Sequence, residues 1–132
     1  MNRTAILVAT ILSFAVVPSC ALGPSAAATA RDGSRLALFK PANQWLRQGT
    51  PNRISLHVQR TGFRDAVEVN FLNLPKGVHV DDKVIPEGLT AKDFVLVAGT
   101  DAEIVADHPV TIEVKSHGLT TSQVFLVTVR AK

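Results

Sequence analysis

The chain has 132 residues, enough for one domain, with 14 basic and 11 acidic side chains and a formal net charge of +3. This balance is too weak to indicate binding to nucleic acid or another acidic polymer, so no nucleic-acid partner is expected. The single cysteine excludes an internal disulfide bond.

The N-terminus is typical of a secretory signal peptide. Asn2 and Arg3 form a short polar, positive start, and an uncharged apolar run follows from Ala5 to Val17. A transmembrane helix needs roughly 20 apolar residues, so this run is too short to span a bilayer. We therefore predict a signal peptide over residues 1–19 and export from the cell.

Two cleavage sites compete after this leader. Val17-Pro18-Ser19-Cys20 resembles a bacterial lipobox, in which the cysteine is acylated and becomes the new N-terminus, although Pro18 departs from the usual pattern. The rival is Ala28-Thr29-Ala30, the A-x-A pattern of ordinary signal peptidase. We favour lipid attachment at Cys20 because a lone cysteine just past the apolar run is otherwise hard to explain. The expected location is extracytoplasmic, in the cell envelope, with the lipid anchor making contact with the membrane.

Residues 20–34 are rich in small side chains, which bury too little apolar area to offset the entropy of ordering. We predict a flexible tether there and a folded domain over residues 35–132. Within the domain, short segments with period-2 alternation are separated by Gly and Pro turns. The predicted strands are Leu36–Lys40, Arg53–Arg60, Ala66–Leu72, Val78–Val80, Thr90–Ala98, Val110–Lys115 and Gln123–Arg130.

This spacing predicts an all-β protein, an immunoglobulin-like antiparallel β-sandwich of about seven strands. No segment shows a convincing helical period, and a parallel α/β sheet would need crossover connections for which there is little room. The disulfide of antibody domains cannot form here. The alternation assigns one face of each strand to the core, namely Ile54, Leu56, Val58, Val67, Val69, Phe71, Phe94, Leu96, Val110, Ile112, Val114, Phe125, Val127 and Val129.

The chain from Pro41 to Lys132 resembles the immunoglobulin-like repeat modules of bacterial secreted and surface proteins. The residues that carry the resemblance are Val67-Glu68-Val69, Leu74-Pro75-Lys76-Gly77-Val78, Ile85-Pro86-Glu87-Gly88-Leu89-Thr90 and Phe94-Val95-Leu96-Val97-Ala98, with the closing segments Val110–Val114 and Phe125–Val129. The resemblance implies a spacer or adhesive unit and no catalytic function.

Candidate binding residues come from strand alternation. In Gln44-Trp45-Leu46-Arg47, alternation directs Leu46 inward and Trp45 outward beside Arg47, as in a binding hot spot. Val124 and Leu126 also point outward if Phe125 and Val127 point inward, which suggests a partner surface.

The remaining polar residues give little indication of chemistry. The four histidines lack the short spacing of metal ligands, and no nucleophile elbow is present. Asp101, Glu103 and Asp107 are candidate calcium ligands in one loop, without a recognised calcium motif. We expect a non-catalytic binding or structural module without a cofactor, whose partner is another envelope protein or a glycan. The alternative is a carbohydrate- or calcium-binding accessory domain.

Overall fold

The computed structural model describes residues 25–132, so the predicted signal peptide and Cys20 lie outside the described residues. The described chain contains ten strands and no helix, and therefore no helix that could cross a membrane. The strands are β1 (Ser25–Thr29), β2 (Arg35–Phe39), β3 (Gln44–Arg47), β4 (Pro51–Thr61), β5 (Val67–Leu72), β6 (Val78–Val80), β7 (Val84–Ile85), β8 (Ala91–Ala98), β9 (Val105–Ser116) and β10 (Leu119–Arg130).

The strands form two packed five-stranded sheets. The first sheet has the order β1-β2-β4-β8-β6, and the second has the order β3-β10-β9-β5-β7. The seven predicted strands correspond to β2, β4, β5, β6, β8, β9 and β10, and they divide between the sheets as in an immunoglobulin constant-type sandwich. The predicted fold class is confirmed. All described pairs are antiparallel except β3 with β10, which is parallel.

The core lies between the sheets, on the faces that the alternation predicted. Every residue expected in the core is buried except Phe71, which is half-buried and packs against the others. Its ring lies 5.9 Å from that of Phe94 and 6.5 Å from that of Phe125, measured between centroids. The shorter strands add further large buried side chains, among them Leu36, Leu38, Leu46 and Ile85.

The first strand corrects the predicted tether. Ser25–Thr29 pairs antiparallel with Arg35–Phe39 over five positions, so the sheet begins ten residues before the predicted boundary at residue 35. The intervening turn is ordered by Asp32, whose carboxylate accepts a hydrogen bond from the Ser34 N–H at 2.9 Å, and this bond lowers the pKa of Asp32. Alanine and serine have weak strand preferences, so only the paired neighbour makes this segment a strand.

The turn between β5 and β6, formed by the Leu-Pro-Lys-Gly-Val segment, requires a glycine at position 77. Gly77 follows β5 with φ of 84°, and a Cβ on it would lie 2.7 Å from Cα of buried Ala102. The Gly99 N–H donates to the Gly77 carbonyl at 2.9 Å, which joins this turn to the loop after β8. The close approach therefore requires glycine and fixes the end of the sandwich near β6.

Candidate functional site

The candidate binding residues lie on the outer face of the second sheet. Trp45 is 61% exposed on β3, whereas Leu46 is 2% exposed, as the alternation predicted. The parallel register places Trp45 beside Thr128 of β10 and Arg47 beside Arg130. Arg47 is exposed on the same side of β3 as Trp45. The structure thus directs both side chains away from the core.

Val124 and Leu126 continue this face along β10. Val124 is 46% exposed and Leu126 is partly exposed, while Phe125 between them is fully buried. Alternate residues on a strand are about 7 Å apart, so Leu126 and Val124 follow Thr128 toward the start of β10 in steps of that size. All four predicted binding residues therefore share one sheet face.

The register adds two residues that the sequence prediction missed. Leu126 is opposite Pro109 of β9, which is exposed, and Val124 is opposite Thr111. Thr111 is in turn opposite Leu72 of β5, which is 45% exposed. Alternation along β5 indicated that Leu72 points outward, but only the strand pairing places it in the same row as Val124. We call Trp45, Leu72, Pro109, Val124 and Leu126 the Trp45 surface.

The same face becomes polar beyond this surface. Moving one row further from Trp45, Ser122 is opposite Glu113, and Glu113 is opposite Asn70. Glu113 forms an ion pair with Lys115 at 3.2 Å. An apolar region flanked by polar residues is the usual arrangement of a protein interface, with an apolar centre and a polar rim.

The structure does not group the three acidic residues that were candidate calcium ligands. Within residues 25–132, no group of three or more His, Cys, Asp or Glu side chains is close enough together to hold a metal ion. Asp101 and Glu103 are exposed, and Glu103 donates its backbone N–H to the Lys76 carbonyl at 2.9 Å. Asp107 has φ of 50° beside a bulge in β9, and its N–H donates to Thr128 Oγ1 at 3.1 Å. The structure thus gives no support to Asp101, Glu103 and Asp107 as calcium ligands.

Two of the four histidines make contacts within the fold that the sequence did not predict. His108 Nε2 is 2.8 Å from the Asn73 carbonyl oxygen. The His117 ring stacks on Phe63 with centroids 4.7 Å apart, and its Nδ1 lies 3.3 Å from Asp65 Oδ2. These contacts give both side chains a structural role. Their positions can therefore be explained without a bound ligand.

Charged side chains stabilise the loops around β7 and β8. The Arg60 guanidinium donates to the carbonyls of Asp65 at 2.8 Å, Pro86 at 3.1 Å and Leu89, and burial lowers its pKa. Lys92 donates to Asp82 in an ion pair, which holds the pKa of Asp82 below its usual value. The Asp82 carboxylate also accepts the Lys83 N–H at 2.8 Å.

Comparisons with known proteins found only distant similarity, among solved structures. No family model matches this sequence, and no curated protein matches it. A solved structure of a chimeric titin Z1Z2, functionalized with a KLER exogenous peptide from decorin, is similar over 85% of this chain and 100% of that chain, at 8% identity and a TM-score of 0.42. At that similarity the match adds nothing to the assignment of the fold, which rests on the strand order of the two sheets.

Proposed function

We propose that the protein is a non-catalytic module of the bacterial cell envelope, anchored by lipid at Cys20, that binds another envelope protein through the Trp45 surface. The observation that carries the binding part is the exposed indole of Trp45 on a paired strand, next to exposed aliphatic side chains. Tryptophan and arginine are enriched among residues that dominate binding energy. Because Trp45 lies on a paired strand, its backbone loses little further conformational entropy on binding.

The strand β1 supports acylation at Cys20 over cleavage after Ala30. The A-x-A site lies within β1 and its turn, and Ala28 and Ala30 pack against the core. Cleavage after Ala30 would remove the strand that pairs with β2. Cleavage before Cys20 keeps β1 in the mature protein and separates the anchor from Ser25 by five residue steps. A chain of that length spans at most about 17 Å, so the anchor would hold the domain close to the membrane.

The anchor is tested by expressing the full chain in bacteria with labelled fatty acid. The expected result is a labelled protein in the membrane fraction, with label and membrane association both lost in Cys20→Ala. A mature N-terminus at Arg31 would contradict the anchor and establish the A-x-A cleavage instead.

The partner is tested by crosslinking in intact cells and by pull-down with matched variants. Trp45→Ala and Val124→Asp should abolish capture of the same envelope protein. Val95→Asp is the matched control, because Val95 is 42% exposed on β8 of the other sheet, close to the 46% of Val124. Loss of capture in Val95→Asp, or its retention in both surface variants, would refute the Trp45 surface as the interface.

A carbohydrate ligand is the second candidate, favoured by the flat, exposed Trp45 ring, onto which a sugar ring could stack. A glycan array probed with the same purified variants separates the two. Glycan binding that is lost in Trp45→Ala but kept in Val124→Asp would favour the carbohydrate, because stacking needs the indole and not the aliphatic row.

A further inference from the structure

A second apolar feature lies at the edge of the sandwich where β5 of one sheet faces β6 of the other. The two sheets leave a cleft of about 240 Å³ between them there. Its apolar wall is formed by Phe71, Leu74, Val78 and Val80, and its rim carries His79, Asp82 and Lys83. Drug-sized ligands occupy pockets of roughly 300–1,000 Å³, so this cleft is better matched to a side chain.

The floor of the cleft belongs to the core. The half-buried Phe71 ring meets Phe94 at 5.9 Å and Phe125 at 6.5 Å between centroids, and both of those rings are fully buried. The rim is also fixed, because Asp82 is paired with Lys92 and accepts the Lys83 N–H. The cleft is therefore a formed cavity that can accept a side chain without rearrangement of the fold.

The backbone of β5 faces this cleft with hydrogen-bonding groups. On that side β5 pairs with β7 at Val67 and Glu68, and the Val69 N–H donates to the Lys83 carbonyl at 2.7 Å. Alternate residues in a strand direct their backbone groups to the same side, so the N–H and C=O of Phe71 face the same edge as those of Val69. Within residues 25–132, no strand pairs with β5 on that side beyond Val69.

We propose that this edge binds an extended peptide segment of a partner protein, which continues the line of β7 along β5. The peptide exchanges backbone hydrogen bonds with Phe71 and inserts one aliphatic side chain between Phe71, Leu74 and Val80. Only an extended backbone supplies a donor and an acceptor at the spacing of a strand edge while placing alternate side chains in a cavity. The site lies at the edge of the sheet and not on its outer face, and Leu72, which also lines the cleft, is the one residue it shares with the Trp45 surface.

The test uses the purified full chain, labelled with ¹⁵N, and a panel of blocked peptides of alternating threonine and one aliphatic residue. Binding should shift the amide signals of Phe71, Val80 and Lys83 and leave the Trp45 indole signal in place. Exchange of the Phe71 amide with solvent should slow by roughly tenfold, because the new strand covers it. Shifts confined to the Trp45 surface, or none at millimolar peptide, would overturn the proposal and indicate that short strands only protect this edge.

Backbone pairing and side-chain insertion are tested separately. N-methylation of the peptide amide that faces β5 should weaken binding roughly tenfold, whereas N-methylation of the adjacent amide, which faces solvent, should not. Val80→Thr should weaken binding about fivefold by making the cleft polar, with Val95→Thr as the matched control on β8. Equal effects of the two methylations, or of the two substitutions, would contradict a strand in this cleft.

Discussion

The two edges of the sandwich, where the outermost strands of one sheet face those of the other, are covered differently in this molecule. On one side, β1 covers the edge of β2 and also contacts β10 of the opposite sheet. Polar side chains join the sheets there, since Gln123 Nε2 donates to the Leu38 carbonyl at 3.0 Å. The side chain of Asn43 accepts the backbone N–H of Leu126 at 3.0 Å. We call this the closed side.

On the other side, which we call the open side, the edges are the short strands β6 and β7. There β7 ends before it covers Phe71, and a cleft remains between the sheets. The same two-sheet core therefore has an added strand along one edge and only a short strand along part of the other. Edge strands that lack partners are the usual places for strand addition.

The largest change in stability is expected from truncating two core phenylalanines, one in the centre of the core and one at the open side. Phe125 is fully buried, so Phe125→Ala should lower the free energy of unfolding by about 3–5 kcal/mol. Phe71 is half-buried at the open side, so Phe71→Ala should lower it by about 1–3 kcal/mol. Urea unfolding of both variants measures this difference. Equal losses would mean that the open side is as well packed as the rest of the core.

Substitution of Arg60 tests which interaction stabilises the loops beside the open side. The guanidinium serves three carbonyls, so Arg60→Ala should lower the free energy of unfolding by about 1–3 kcal/mol. Arg60→Lys should recover only part of this loss, because a single ammonium group cannot match the planar fork of the guanidinium. Full recovery in the lysine variant would show that charge alone stabilises these loops.

Removal of β1 should make the closed side resemble the open one. A chain that starts at Arg31 loses five ladder positions, but its small side chains bury little area and the ordering entropy offsets most of the hydrogen bonding. The expected decrease in the free energy of unfolding is about 1–2 kcal/mol, measured in urea beside the longer chain. Hydrogen exchange at the β2 amides should accelerate at the same time. Unchanged exchange there would contradict the role assigned to β1.

The smallest effect is expected at Asp82, on the rim of the cleft. Its side chain is 46% exposed, so Asp82→Asn should lower the free energy of unfolding by less than about 1 kcal/mol. Because folding lowers the pKa of Asp82 from its usual 3.8, the carboxylate stabilises the fold above that pH. The stabilisation disappears as the pH falls through the lowered pKa. Stability curves of the two proteins should therefore differ at neutral pH and converge in acid.

Much of the fold could be predicted because the alternation of apolar residues specifies which side of each strand is buried. Ile54, Leu56 and Val58 on β4, and Phe125, Val127 and Val129 on β10, are buried as predicted. A one-residue slip would expose the whole set, so the buried face is strongly specified. The same alternation correctly directed Trp45 and Val124 outward, although it gave no information on what they bind.

The tertiary structure alone decided which strands meet and which edges stay open. The Ser/Ala-rich β1 lacks strand-forming residues, and β7, although it is Val84-Ile85, is too short to show an alternation. Pairing with β2 and β5 makes them strands. Leu72 joins the row of Val124 only through Thr111, and Phe71 lies at a cleft only because β7 ends early. Sequence periodicity is a local property of one strand. Register and edge exposure depend on contacts between residues far apart in the chain, which periodicity does not encode.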